Sequence, residues 1–189
     1  ISIDGSIATY TPDANYNGYD SFSFTVSDGE LDDTATVTLT IDPVNDAPVL
    51  ATVSDVSFDE DTSTSISVSG SDVDSDDLEF SITGGSDITA TLSGSDISFS
   101  APANYNGSET FTVSTTDSEL TDSQDITVTV NAVNDAPVAT IDLSGTTAED
   151  QSVVVNLSAS DVDGDNLTFS LNTDATNGSI SIDGSIATY

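Results

Sequence analysis

The sequence predicts an all-β fold built from tandem seven-stranded Greek-key β-sandwiches arranged end to end. Three observations carry that prediction. Apolar residues alternate with Ser and Thr in short runs: Phe22, Phe24 and Val26; Ala35, Val37, Leu39 and Ile41; Ile126, Val128 and Val130. Period-two alternation rich in Thr and Val is the pattern of half-buried strands. Clusters of Gly, Asn, Asp and Ser separate the runs, and helical periodicity is absent. Finally, the whole pattern recurs at a fixed spacing, the mark of a repeat architecture.

Two periods are nested. Residues 14–18 return as 103–107, 44–49 as 133–138 and 71–74 as 160–163, each at a shift of 89; upstream of Asp13 the shift becomes 90. Over a longer range, Ile1 to Tyr10 is repeated letter for letter by Ile180 to Tyr189. The chain therefore reads as a window on a longer periodic polymer, in which two non-identical units of about 90 residues alternate. Taking the Asn-Asp-Ala-Pro segments as linkers, residues 1–46 form the back half of one unit, 47–135 a complete unit and 136–189 the front half of the next.

Within the complete unit, strands are expected near 52–58, 65–70, 78–82, 88–92, 97–100, 109–115 and 125–131. Seven short strands separated by turn signals predict a Greek-key sandwich. The inward row is Val53, Val56, Phe58, Ile66, Val68, Leu78, Phe80, Ile88, Leu92, Ile97, Phe99, Phe111, Val113, Ile126, Val128 and Val130. Tyr105, and Tyr16 at the matching position, are expected to plug the end of a sandwich beside an Asn-Gly turn.

Composition removes several functions. The chain has 34 acidic residues and no Lys, Arg, His, Cys, Met or Trp. Nucleic acid and anionic membrane surfaces are excluded as partners, because both need basic groups. No apolar run is long enough to insert in a bilayer as a helix. Disulfides and thiol-ligated zinc are equally impossible. The complete unit holds 13 Asp and 4 Glu with no cation among its own residues.

The acids are informative by type and place. Asp outnumbers Glu by 28 to 6, and Asp suits turns and compact oxygen-ligand loops. In a seven-stranded sandwich successive loops alternate between the two ends, so acids distant in sequence converge beside each linker. Glu60 and the Asn104–Asn106 turn are expected beside Asn134 and Asp135, facing Asp161, Asp163 and Asp165. Asp13, Asn15, Asn17 and Asp20 are expected opposite Asp72, Asp74, Asp76 and Asp117, with Asn45 and Asp46 between them. Glu109 completes the candidate ligand set. Such clusters repel themselves without a cation, and hard oxygen donors without His or Cys select Ca²⁺ over transition metals. No spacing matches an EF-hand loop.

Together, the Val-Asn-Asp-Ala-Pro-Val linkers, the Glu60-Asp61-Thr62 segment, the Asp72-Val73-Asp74 loop, the Asn-Tyr-Asn-Gly turn and the Asp20 to Gly29 strand resemble cadherin-like (Ig-like) tandem repeats. Those repeats occur in large bacterial surface and secreted proteins, including extender regions of RTX-type adhesins. The resemblance covers essentially the whole chain. It implies an extracellular, Ca²⁺-stiffened string of sandwiches acting as a stalk, adhesin extender or matrix fibre. Its expected partners are calcium ions, neighbouring repeats, and identical chains if copies assemble laterally. The alternative is an extracellular recognition module for glycans or host proteins. Catalysis is not expected, since without His, Lys or Cys only carboxylate chemistry such as glycoside hydrolysis is open.

Overall fold

The computed structural model describes residues 1–189 apart from Ser75 and Asp76. The described residues form strands, turns and loops with no helix, so none is present that could cross a membrane. In chain order the strands are β1 (Ser2–Asp4), β2 (Ile7–Thr9), β3 (Gly18–Ser27), β4 (Asp32–Ile41), β5 (Val49–Leu50) and β6 (Val56–Asp59). There follow β7 (Ser63–Ser67), β8 (Gly70–Ser71), β9 (Glu79–Gly84), β10 (Thr89–Ser93), β11 (Asp96–Ser100) and β12 (Gly107–Thr116). The last six are β13 (Thr121–Asn131), β14 (Val138–Ala139), β15 (Val154–Asn156), β16 (Ala159–Ser160), β17 (Ser181–Asp183) and β18 (Ile186–Thr188).

The chain forms two compact units. One holds Ile1–Val56, Thr64–Ser100 and Glu109–Val128; the other holds Ser57–Ser63, Ala101–Ser108 and Thr129–Tyr189. In the first unit β1 pairs with β2, and the ten-residue strands β3 and β4 pair antiparallel from Gly18↔Ile41 to Ser27↔Asp32. The sheets built from β5 to β13 have the orders β6-β13-β12-β9, β10-β11-β7 and β5-β8. Phe99 on β11 and Phe111 on β12 meet edge to face, with ring centroids 5.5 Å apart, which brings the faces of the two larger sheets together over an apolar core. The alternate residues that period two selects are buried: Val53, Val56, Val68, Ile88, Ile97, Phe99, Phe111, Val113, Ile126 and Val128 in the first unit, and Phe58 and Val130 in the second. Ile66, Leu78, Phe80 and Leu92 are half-buried, and Leu50 joins the core from outside the expected row.

Two expected strands differ in extent. The first, expected at 52–58, forms only as β6, with β5 lying ahead of it, and between them the Gln124 side chain takes the place of a strand partner. Its amide donates to the Val53 carbonyl (2.7 Å) and its oxygen accepts the Val53 N–H (3.1 Å). Nearby, Asp122 accepts the Leu50 N–H and the Thr127 N–H reaches Asp55. The second becomes β7 and β8: Val68 donates to Ser95 while Ser69 accepts from Ala51, so the chain changes partner between consecutive residues. The length of β12 and β13 also exceeds the apolar runs that identify them.

In the second unit β14 pairs with β16, and β18 lies between β15 and β17. The Asn-Tyr-Asn-Gly turns open with Asn15 and Asn104 in the left-handed region (φ 60° and 57°), a conformation Asn tolerates better than most residues. The Tyr16 hydroxyl donates to the Tyr19 carbonyl at 2.6 Å. Tyr16 is 40% exposed, so it braces this turn rather than plugging a core. The turn glycines Gly5 and Gly94, both with positive φ, are 89 residues apart, so the one-residue change of shift falls after the hairpin rather than throughout the upstream segment.

Candidate functional site

Two carboxylate clusters share one construction. Around the first linker, the Asp46 N–H donates to Asp74 Oδ2 (2.8 Å), and the Asp74 N–H donates to Asp72 Oδ1 (2.7 Å). Around the second, the Asp135 N–H donates to Asp163 Oδ2 (2.6 Å), and the Asp163 N–H donates to Asp161 Oδ1 (3.0 Å). Each linker aspartate is thus tied to the second Asp of an Asp-Val-Asp loop 28 residues on. The repeat places these pairs identically because the loop is a local Asx turn that presents one carboxylate toward the linker.

In the first cluster, Asp13, Asn17, Asp46 and Asp74 line one groove with Asn15. Asp72 leaves its Oδ2 buried without a hydrogen-bond partner among the described residues. Asn45 turns to Asp117 instead, its amide donating to Oδ2 at 2.8 Å. Asp117 Oδ1 meanwhile accepts the N–H groups of Glu119 and Leu120. The Leu120 N–H, then the Asn45 amide and the Glu119 N–H, hold the Asp117 carboxyl below its ordinary value against the opposing effect of burial. Asp76 lies outside the described residues.

In the second cluster Glu60, only 4% exposed, accepts the Val133 N–H at 2.6 Å. The Asp165 N–H joins that of Asp163 on Asp161 Oδ1 (3.2 Å), and the Asn134 amide donates to the Asp135 carbonyl (3.0 Å). Asn104 reaches this cluster through its N–H, which donates to Asp61 (3.0 Å). Asp135 Oδ2 is buried without a partner. Burial first, then the carboxylates of Asp61, Asp163, Glu60 and Asp161, push the Asp135 carboxyl above its ordinary value. Like charges crowded in a partly dry site disfavour ionisation in this way.

Two of the sequence-derived ligands have other tasks. Glu109 accepts four hydrogen bonds from the 86–88 loop: the N–H groups of Ser86, Asp87 and Ile88 and the Ser86 hydroxyl, at 2.7–3.0 Å. Four bonds fill the lone-pair sites of a carboxylate, so Glu109 is a loop clamp. Asp20 accepts the Tyr10 hydroxyl (2.7 Å) and its neighbour's N–H. Conversely, Asp61 belongs to the second cluster although the ligand set expected from the sequence took Glu60 alone from the Glu60-Asp61-Thr62 segment. The signal for it was present: Asp61 has φ 60° and its repeat partner Asp150 has φ 64°, and Glu60-Asp61 recurs as Glu149-Asp150.

Among the described residues no three acidic side chains converge closely enough to hold a metal ion outright. The donor set nevertheless fits a hard cation. It is all oxygen, it repels itself, and each cluster retains one buried carboxylate oxygen that nothing among the described residues satisfies. Unsatisfied buried polar atoms are uncommon and costly.

Strand architecture and repeated oxygen-rich loops together define a class: tandem Ig-like β-sandwich repeats. The bacterial Ig domain model matches residues 45–129 and 134–189, and the chain belongs to that family. A cadherin-like domain model matches residues 1–42. No curated protein matches the chain. Among solved structures, an endo-fucoidan hydrolase of glycoside hydrolase family 107 aligns at 24% identity over 65% of this chain and 20% of its own, with TM-score 0.36. The surface layer protein SbsC, domains 1–6, aligns at 18% identity over 92% of this chain and 24% of its own, with TM-score 0.40. Titin domains z1z2 in complex with telethonin align at 13% identity over 77% and 81% of the two chains, with TM-score 0.37. The chain thus spans about a fifth of the hydrolase's length.

Proposed function

We propose that this chain is part of a repetitive extracellular stalk or filament, with repeats at 1–46, 47–135 and 136–189, whose linkers are stiffened by Ca²⁺. The observation that carries the reading is the duplicated cluster. Two linkers present the same Asp-to-Asp-Val-Asp tie, and each leaves one carboxylate oxygen buried and unsatisfied, at Asp72 and Asp135. A ligand-recognition loop would be distinctive to one repeat; these are alike. At the second linker Glu60, Asp61, Asp135, Asp161 and Asp163 would hold the ion. At the first, Asp13, Asn17, Asp46, Asp72 and Asp74 would do so. Bound calcium supplies positive charge that neutralises the crowded acids and fixes the linker. An ion that binds only the folded state also stabilises it, by about 2.7 kcal/mol at a hundredfold excess over Kd.

Calorimetric titration with Ca²⁺, paired with thermal melts in Ca²⁺, Mg²⁺ and chelator at matched ionic strength, tests this. Calcium should raise the melting temperature well beyond the effect of Mg²⁺. Asp135→Asn should act with opposite signs: melting higher in chelator, where a repelled carboxylate has been removed, and binding Ca²⁺ more weakly by on the order of tenfold. No binding heat, with identical melts in Ca²⁺ and chelator, would overturn the calcium reading.

A further inference from the structure

We propose that residues 50–60 and 122–133 of the complete repeat form a load-bearing seam, which resists tension along the chain because the two segments run parallel. The inference rests on the stalk reading in one respect: a stalk carries tension from repeat to repeat. The direction of the segments follows from hydrogen bonds within each compact unit. In the first unit the Leu50 N–H donates to Asp122 (2.8 Å), and Val53 exchanges two bonds with the Gln124 side chain (2.7 and 3.1 Å). The Thr127 N–H there donates to Asp55 (2.8 Å). In the second unit the Asn131 amide donates to Asp59 (3.1 Å), and the Glu60 N–H to the Asn131 carbonyl (2.9 Å). The Val133 N–H then donates to Glu60 (2.6 Å). In both units the residue numbers of the partners rise together, so the opening segment of the repeat and its last strand, β13, point the same way.

Tension enters a repeat at the start of its opening segment and leaves at the end of its last. With parallel neighbours those two points lie at opposite ends of the seam, so pulling slides one segment past the other. All the bonds between them are then stretched together. In an antiparallel pair both points would lie at one end, and each bond would bear the whole load in its turn. The seam thus has the geometry that resists force better, and it joins the two segments through which force must pass.

Its chemistry is unlike an ordinary ladder. Six of these seven bonds use a side chain, and four are accepted by the carboxylates of Asp55, Asp59, Glu60 and Asp122. Bonds to charged acceptors are about twice as strong as those between neutral groups. The side chains are particular to one of the two alternating units. Ala35 and Asp42 stand 89 residues before Gln124 and Asn131, while Asp142, Ser144 and Ala148 stand 89 after Val53, Asp55 and Asp59.

Because the chain has no cysteine, handles for single-molecule pulling can be fixed at chosen points. Ala47→Cys with Ala136→Cys loads the seam from opposite ends, and Ala47→Cys with Glu119→Cys loads it from one end. None of these positions belongs to the calcium set. At equal pulling speed, in chelator, the first pair should rupture at clearly higher force than the second. Gln124→Ala removes two seam bonds and should raise the unfolding rate under the first loading on the order of tenfold, with a much smaller change under the second. Equal rupture forces in the two geometries overturn the proposal. So does a Gln124→Ala effect of the same size in both, which marks a general loss of stability. Asp122→Ala repeats the comparison if Gln124→Ala does not fold, and the contrast between handle pairs needs no change in the seam. Measured in chelator, that contrast is independent of ion binding: a chain that binds no Ca²⁺ can still pass, and one that binds Ca²⁺ can still fail.

Discussion

Ile1 to Tyr10 and Ile180 to Tyr189 are the same ten residues in two settings. In both copies the hairpin forms with the same register, Ser2↔Thr9 to Asp4↔Ile7 and Ser181↔Thr188 to Asp183↔Ile186, around a glycine at φ 60° or 57°. Hairpin formation is therefore written locally, in a Gly-Ser turn between alternating residues. What differs is everything non-local. The second copy has β15 as a third strand, whereas among the described residues the first pairs within its own hairpin alone. Ile182 is half-buried, while Ile3 is 63% exposed. Even the terminal tyrosines choose different partners, Asp20 for Tyr10 and the Asn177 carbonyl for Tyr189. Local sequence thus fixes the element, and the rest of the repeat decides whether that element becomes part of a core.

The largest expected effect extends this contrast to the long hairpin. Phe22 and Phe111 occupy equivalent repeat positions, but Phe111 is fully buried against Phe99 and Phe22 only half-buried. Phe111→Ala should cost about 3–5 kcal/mol in denaturant unfolding of the central sandwich. Phe22→Ala, in dilute solution, should cost less than half as much. Equal costs would mean that Phe22 is held as firmly as Phe111, and the contrast in their burial would fail.

Much of this was legible in the sequence, for reasons the two hairpins make plain. Alternation identified β3, β4, β12 and β13 and nearly the whole buried row, because strand period and burial share one cause. The late start of the first expected strand, at Val56 rather than residue 52, was not legible: it depends on Gln124, about 70 residues away, matching both polar groups of Val53. The carboxylates were legible in place but not in employment. An Asp in a loop looks the same whether both its oxygens take hydrogen bonds, as in Asp117, or one finds no partner among the described residues, as in Asp72 and Asp135. Sequence counts ligands; only geometry shows which lone pairs are already used.

Glu109 and Asp20, 89 residues apart, sharpen the comparison at a smaller scale. Glu109 clamps the 86–88 loop, and the Asp87 N–H leads the donors that lower its carboxyl to about 2. A folded-state value below the unfolded one of about 4.3 contributes stability that is present above the unfolded value. That stability is lost as pH falls from there through about 2. Discounted for solvent screening, the clamp is worth about 1–2 kcal/mol. Glu109→Gln should remove that amount near neutrality and flatten the acid limb between those values, read by urea unfolding at a series of pH values. An unchanged acid limb would mean that the four bonds do not hold in solution.

The smallest effect is spectroscopic and returns to the paired tyrosines. The Tyr10 hydroxyl donates to a carboxylate, so losing its proton would forfeit that bond and set two negative charges together. Asp20 therefore raises Tyr10 to about 12, chiefly by accepting this hydrogen bond, and the Tyr10 hydroxyl in turn leads the contacts that hold Asp20 low. In Tyr189 the same residue of the same decapeptide faces a neutral carbonyl. Asp20→Asn should return Tyr10 to the ordinary value of about 10 in an ultraviolet or NMR titration, with little change in stability because the pair is exposed. Were Tyr10 to titrate near 10 already in the native chain, the exposed pair would not persist in water. The two decapeptides would then still differ in the third strand found, among the described residues, beside one of them, and in the burial of Ile3 and Ile182, but not in a charged tyrosine partner.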